Sequence, residues 1–283
     1  MCAITQHLSA FWLFWHETDE AFIFESNPRS RLPVLKVTAI GDVHADFGRL
    51  WAALKAAGIM DSEGHPTGPV LDGQYRAILI GDLVHPKNIQ TYEKLTGREP
   101  FDWKNPEHLR SAARAQVREL HRLRHFVDAC EGGVSVIMGN HDASALNHKH
   151  VLGTATGLKH AEFDETLGGV RLPDDLADWM RKWLPEVRLN GVHFSHAGPT
   201  PGMASFDDFF YADTDTKHWW HERPYFVKDA GHRFGVYGHT VMPDGIHINA
   251  EHGFAMIDAL EKRQYLEMLF HDDGEFDYRV AGF

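Results

Sequence analysis

Residues 34–44 read V-L-K-V-T-A-I-G-D-V-H, an apolar run that ends abruptly in a glycine, a carboxylate and an imidazole. The run from Val34 to Ile40 has the composition of a buried strand. Its ending is unlike an ordinary solvent turn. Asp42 and His44 stand two positions apart at the end of an extended segment, and side chains there alternate with period 2. One carboxylate oxygen and one imidazole nitrogen therefore face the same side and can reach one cation. Gly41 is expected to let the backbone turn sharply at the strand end.

Outward from this stretch the same event recurs. Ala77–Ile80 ends in Gly81-Asp82, Val134–Met138 in Gly139-Asn140, Gly191–Ser195 in His196, and Val236-Tyr237 in Gly238-His239. Helical patterns lie between the runs, over Phe47–Ala57, Pro106–Cys130 and Leu172–Leu184. Pro106 is well placed at a helix start, and Pro173 with Asp174 opens the last of the three. Strands alternating with helices predict an α/β layered fold with helices packed on the sheet faces. The C-terminal part, Ile246–Asn249, Phe254–Ile257, Gln264–Phe270 and Phe276–Val280, reads as a strand meander. That points to one mixed sheet, or to two sheets packed face to face with helices outside. Phe11–Trp15 and Ala21–Glu25 read as a hairpin, which divides the chain into an N-terminal extension over 1–33 and a single domain over 34–283. Two long polar connections, Lys87 to Lys104 and His148 to Arg171, are expected to rim the site.

Composition narrows the function classes. The chain has 283 residues, is 43% hydrophobic and carries a formal charge of −12. An acidic surface repels phosphate backbones, so nucleic acid is not the favoured partner. With Cys2 and Cys130 alone there is no disulfide framework and no thiolate zinc site, and a reducing, cytoplasmic compartment is expected. The apolar run Leu8–Trp15 lacks a basic segment before it and a cleavage site after it, and is too short to span a bilayer. No membrane partner is expected. The 21 histidines raise the prospect of a metal protein. Asp82 offers two oxygens, enough for two cations at once. Asn140 supplies a neutral carbonyl oxygen, while His141 beside it points elsewhere and is available to a substrate.

The ordered set G-D-V-H, G-D-L-V, G-N-H-D, S-H-A-G and G-H-T, spread from Val34 to Asp258, resembles the calcineurin-like metallophosphoesterase superfamily. Its nearest likeness is to the branch of Ser/Thr phosphatases and diadenosine-tetraphosphatase-like enzymes. The resemblance implies two packed mixed β-sheets flanked by helices, with a dinuclear metal site at the strand ends. Asp42, His44 and Asp82 would hold the first metal; Asp82 would bridge to the second, completed by Asn140, His196 and His239. A metal-bridging hydroxide would attack phosphorus in line, with His141 protonating the leaving oxygen. Nitrogen and oxygen donors without sulfur suit Mn²⁺ best, with Fe, Zn²⁺ or Mg²⁺ as alternatives. Val241 stands where many members have the second histidine of G-H-x-H.

The second motif departs from its branch pattern G-D-x-V-D-R-G. His85 replaces the Asp that orients the catalytic His, and Pro86 replaces the phosphate-gripping Arg. Lys87, His85, Asn140 and Arg223 are the candidate substrate contacts, with Arg233 a weaker one. This departure argues against a protein Ser/Thr phosphatase. The reading is hydrolysis of a small-molecule or nucleotide-like phosphate ester. A phosphodiesterase or nuclease acting on nucleic-acid ends or cyclic nucleotides is the alternative, and it lacks a basic cluster. A metal-free scaffold should have lost ligands, and none is missing.

Overall fold

The computed structural model describes residues 22–23, 34–147, 151–154, 157–199 and 215–283. At its centre lies β2 (Val34–Ile40), which pairs in parallel with β3 (Tyr75–Leu79), which in turn pairs in parallel with β4 (Val134–Val136). From Val37 to Ile40 every side chain of β2 is fully buried. Burial on both faces is what a near-continuous apolar run requires of a parallel strand. β10 (Gln264–His271) and β11 (Phe276–Gly282) add antiparallel strands on the other side and complete a five-stranded sheet, β11-β10-β2-β3-β4.

The second sheet has the order β1-β5-β6-β7-β9-β8. Its strands are β1 (Phe22–Ile23), β5 (Glu186–Leu189), β6 (Val192–Ser195), β7 (Phe234–Val241), β8 (His247–Asn249) and β9 (Phe254–Asp258). Strands β6, β7 and β9 run parallel. Alternate residues serve alternate layers. Val236, Ala255 and Ile257 join Val37, Ala39, Ile78 and Ile80 of the first sheet in the core between the sheets. Tyr237, Phe254 and Met256 face outward against Trp219 of α7 (Asp215–Glu222) and Val227 of α8 (Phe226–Asp229). Each such buried aliphatic or aromatic side chain contributes about 1.5–3 kcal/mol.

The outer face of the first sheet is covered by α1 (Phe47–Ala56), α4 (Pro106–Ala129) and α6 (Asp174–Met180). Helix α4 starts where Asn105 caps the Glu107 N–H and Pro106 occupies the first turn. It buries Leu109, Ala112, Ala113, Gln116, Leu120 and Leu123, a stripe at three- and four-residue spacing. Gln116 is the polar exception in that stripe, and its amide reaches toward the site.

Three expectations change. The C-terminal strands are not one meander: β8 pairs with β9 in one sheet and β10 with β11 in the other, with the crossing made near a 3-10 turn at Leu260–Lys262. The connection from Lys87 to Lys104 contains α3 (Ile89–Thr96), capped by the Asn88 side chain and ended by Gly97 in the left-handed region. The helix expected over Leu172–Leu184 occupies only Asp174–Met180. Of the N-terminal segments, Phe22–Ile23 pairs in parallel with Val187 and Arg188 of β5; Phe11–Trp15 lies outside the described residues. No helix among those described is long and apolar enough to cross a membrane.

Candidate metal centre

The parallel strands of both sheets end at one place, and their C-terminal loops interlock there. Val43 and His44 donate their N–H groups to the Asp82 carbonyl at 3.1 and 2.7 Å, and Ala45 to Leu83 at 2.9 Å. The His239 N–H reaches the Asp42 carboxylate at 3.1 Å. Asp142 accepts from the Leu83 and Gly139 N–H groups at 2.8 and 3.0 Å, tying the second and third motifs together. Of the eight non-glycine residues with positive φ among those described, five lie in these loops: His44, Ala45, Asp82, His85 and His239. Backbone strain concentrated at one place marks a site that the surrounding structure holds in shape. Gly41 plays a different part from the one expected. Its φ is not positive, and glycine is required because a Cβ there would overlap the Ile257 carbonyl of β9.

The side chains converge in two groups that share an atom. His44 Nε2 lies 3.7 Å from Asp42 Oδ2 and 3.6 Å from Asp82 Oδ2. His196 Nε2 lies 3.3 Å from the same Asp82 Oδ2 and 3.1 Å from Asn140 Oδ1, which is 2.9 Å from His239 Nδ1. Both groups thus face one oxygen, Oδ2, because Oδ1 of Asp82 accepts the His141 N–H at 2.8 Å. The tautomers of two histidines are set by their other nitrogens. His44 Nδ1 donates to the His85 carbonyl at 2.8 Å and His196 Nδ1 to that of Ile80 at 2.7 Å. With Nδ1 so engaged, Nε2 is in each case the nitrogen turned to the cluster, the one that a metal ion would take in place of a proton.

Electrostatics tests whether cations fit. Asp42 and Asp82 are each 2% exposed. Burial opposes their ionisation, yet His196, with His141 and His44 beside Asp82 and His44 beside Asp42, keeps both carboxyls below the usual range. The counterpart is His196: burial resists its charging, but Asp82 and Asp42 raise it to about 10. In the protein alone, charge balance thus falls to a proton on a nitrogen that points into a cluster of oxygen donors. A divalent cation answers the same charges without protonating a donor, so the residues fit metal ions. Among the described residues, three groups of metal-competent side chains have ligand atoms within 4.8 Å of one another: Asp42–His44–Asp258, His44–Asp82–His141 and Asp82–His196–His239.

All six expected metal ligands are brought together, with His141 alongside. The candidate substrate contacts fare differently. His85 is 1% exposed and packs its ring against His141. Lys87 forms an ion pair with Asp258, and Asp258 and Asp42 hold its ammonium charged against the cost of burial. Arg223 is exposed, with its guanidinium carbon 5.3 Å from the Phe226 ring, and makes no hydrogen bond or ion pair to the donor set among the described residues. Arg233 binds the Gly274 carbonyl and Glu275, both at 2.7 Å. Two residues escaped sequence reasoning. Asp142 stands in the quoted G-N-H-D itself. Asp258 ends the apolar run of β9, the same signal as the other ligands but without a preceding glycine.

Comparison with known proteins agrees with this geometry. No curated protein sequence matches the chain. Among solved structures, the cold-active protein-tyrosine phosphatase of a psychrophile, Shewanella sp., is similar at 16% identity and a TM-score of 0.52, covering 86% of this chain and 80% of that one. A 1.1 Å structure of a cold-active protein tyrosine phosphatase gives 16% identity and a TM-score of 0.54, covering 86% and 78%. Likeness at this identity speaks to the fold alone. The model of the calcineurin-like phosphoesterase family matches residues 35–271. With two mixed sheets flanked by helices and acidic and histidine donors gathered at their strand ends, the chain belongs to the calcineurin-like phosphoesterase family and is a metal-dependent phosphoester hydrolase.

Proposed function

We propose that this hydrolase uses two divalent cations, Mn²⁺ by preference, on a small-molecule or nucleotide-like phosphate ester in the cytoplasm. The observation that carries the dinuclear reading is the convergence of both donor groups on Asp82 Oδ2. Asp42, His44 and Asp82 would hold one ion, and Asp82, Asn140, His196 and His239 the other. Bound there, the cations would polarise the phosphoryl oxygens and acidify a water molecule. The chain's own residues supply the remainder. Asp82 Oδ1 anchors the His141 backbone, and the His141 ring donates a proton to the departing oxygen. Lys87, held by Asp258 beside the first donor group, offers a fixed positive charge in place of the missing guanidinium. Being a point charge, it attracts a phosphate without a bidentate grip.

A compact substrate is supported by a cleft of about 540 Å³ that begins one residue beyond His239. Thr240, Val241, Trp220, Ile246 and His247 line it. Val241 is 53% exposed there and pairs across the sheet with Asp258, which lies close to Asp42 and His44. An aromatic wall beside the phosphate position suits a planar leaving group such as a nucleobase.

The test is turnover by Mn²⁺-loaded protein of four substrates: a nitrophenyl phosphate, its bis-ester, a 2′,3′-cyclic nucleotide and a dinucleoside tetraphosphate. Metal-dependent hydrolysis that vanishes in Asp82→Asn, together with two metal equivalents in the unaltered chain, is the expected result. Equal activity in Asp82→Asn would sink the dinuclear mechanism.

A further inference from the structure

We propose that Asp258 is a fourth protein ligand of the first cation, supplied from β9 in place of the histidine that Val241 replaces on β7. This rests on the two-cation reading above and adds to it a ligand that the five motifs do not contain. A carboxylate oxygen of Asp258 lies within 4.8 Å of a ligand atom on Asp42 and of another on His44, and all three side chains are buried. The two oxygens of Asp258 are used unequally. Oδ1 takes the Lys87 ammonium, whereas Oδ2 is buried without a hydrogen-bond partner. An ionised oxygen shut away from water is costly unless a donor or a metal ion meets it. Among the described residues no donor meets Oδ2, and a cation held by Asp42, His44 and Asp82 is a partner of the right charge within reach.

The strand pairing explains why this carboxylate can do what residue 241 cannot. β7 and β9 run parallel, with Tyr237 opposite Met256 and Val241 opposite Asp258. Gly238, His239 and Thr240 therefore stand across from the single residue Ile257. Regular pairing would set Asp258 opposite His239, and a bulge of this kind re-aims the side chains it carries. His239, at φ +63°, turns into the second donor group, while Asp258 draws level with Val241. Val241 has no donor atom and lines the cleft beyond the sheet. Gly41 completes the approach: a Cβ there would overlap the Ile257 carbonyl and lie 3.2 Å from Asp258 Cα. The backbone that carries Asp42 is thereby pressed against the backbone that carries Asp258. The Asp258 carbonyl accepts the Met242 N–H at 2.9 Å, which fixes the end of the strand. Lys87 shares the carboxylate without closing it, because an ionised carboxylate accepts through both of its oxygens. Asp258 then has two duties: it holds the ammonium proposed to attract phosphate, and it completes the ligand set of the cation beside it.

The test titrates chelator-treated full-length chains with Mn²⁺ and counts metal-bound water by the relaxation of ¹⁷O-labelled water. The chains are the unaltered one, Asp258→Ala, Asp258→Asn, and Asp258→Ala combined with Lys87→Met. Asp258→Ala should weaken one of the two Mn²⁺ equivalents by more than the roughly 10–100-fold that an indirect partner costs. The other equivalent should stay bound, and at saturating Mn²⁺ one additional exchangeable water should appear where the carboxylate was. Asp258→Asn keeps the shape of the side chain and guards against loss of the fold; it should weaken the same equivalent. The combined variant removes the ion pair and leaves the local charge unchanged, so it separates a ligand from a nearby charge. Its Mn²⁺ affinity should stay low and its extra water should remain. Affinity restored in the combined variant, or a water count that does not rise, overturns the ligand role and leaves Asp258 as the counter-charge of Lys87. An unaltered chain that takes up fewer than two equivalents refutes the two-cation reading itself, and this inference with it.

Discussion

Gly139 faces Asp82 so closely that a Cβ there would overlap both its carboxylate and its backbone nitrogen. The atoms it would displace are those that fix Oδ2 between the two donor groups. Gly139→Ala should therefore cost more than the roughly 1–3 kcal/mol of ordinary overpacking, and should release metal. Equilibrium dialysis is expected to show at least one equivalent lost, and a variant that keeps both with unchanged affinity would refute this account. Asp42, His44, Asp82, Asn140, His196 and His239 were legible because each stands just beyond an apolar run, usually behind a glycine that close approach explains. Orientation was not legible. No spacing rule says that Asp82 presents one oxygen to both groups and the other to a backbone N–H, or that His85 turns inward to His141.

Strands and long helices were readable for the physical reason that their apolar periodicity spans many residues. Helix α3 was not. Ile89, Tyr92 and Leu95 are its hydrophobic residues, and the polar remainder hides them, although Asn88 and Gly97 are fair capping signals. Its reason for being is Tyr92, fully buried beside His160 and Glu162. The segment carrying His160 likewise read as a loop, yet it inserts this ring between α3 and the site. Burial and then the neighbouring His85 press His160 down to about 3, against about 6.5 in an unfolded chain. Between those values the unfolded state binds a proton that the folded state refuses. Stability from this group is present above about pH 6.5 and is lost as pH falls toward 3, at up to about 1.4 kcal/mol per pH unit. Denaturant unfolding from pH 6 to pH 4 should show that slope reduced by about this amount in His160→Gln. An unchanged slope would mean that His160 does not carry the acid sensitivity.

At the scale of the molecule, the two sheets meet where their charges are least compatible. Asp42, Asp82, Asp142 and Asp258 are all buried at the junction, each 2% exposed or less. Two of these carboxyls already resist ionisation: burial and Asp82 push Asp142 up to about 7, and burial and Asp42 push Asp258 to about 6. Asp258 also keeps one oxygen buried without a hydrogen-bond partner. The interface that closes the sandwich is thus electrostatically unfinished in the protein alone, and the chain as a whole carries −12. Cations that bind the folded junction and not the unfolded chain must stabilise the fold, by about 2.7 kcal/mol at a free concentration one hundred times Kd. For a domain of this size that corresponds to roughly 5–10 °C in Tm. Chelation should lower Tm by this amount, Mn²⁺ should restore it in the unaltered chain, and Asp82→Asn should lose most of the response. A chelated protein that melts where the loaded one does would show that the acidic junction is balanced without metal, and that the donor geometry serves packing instead of binding.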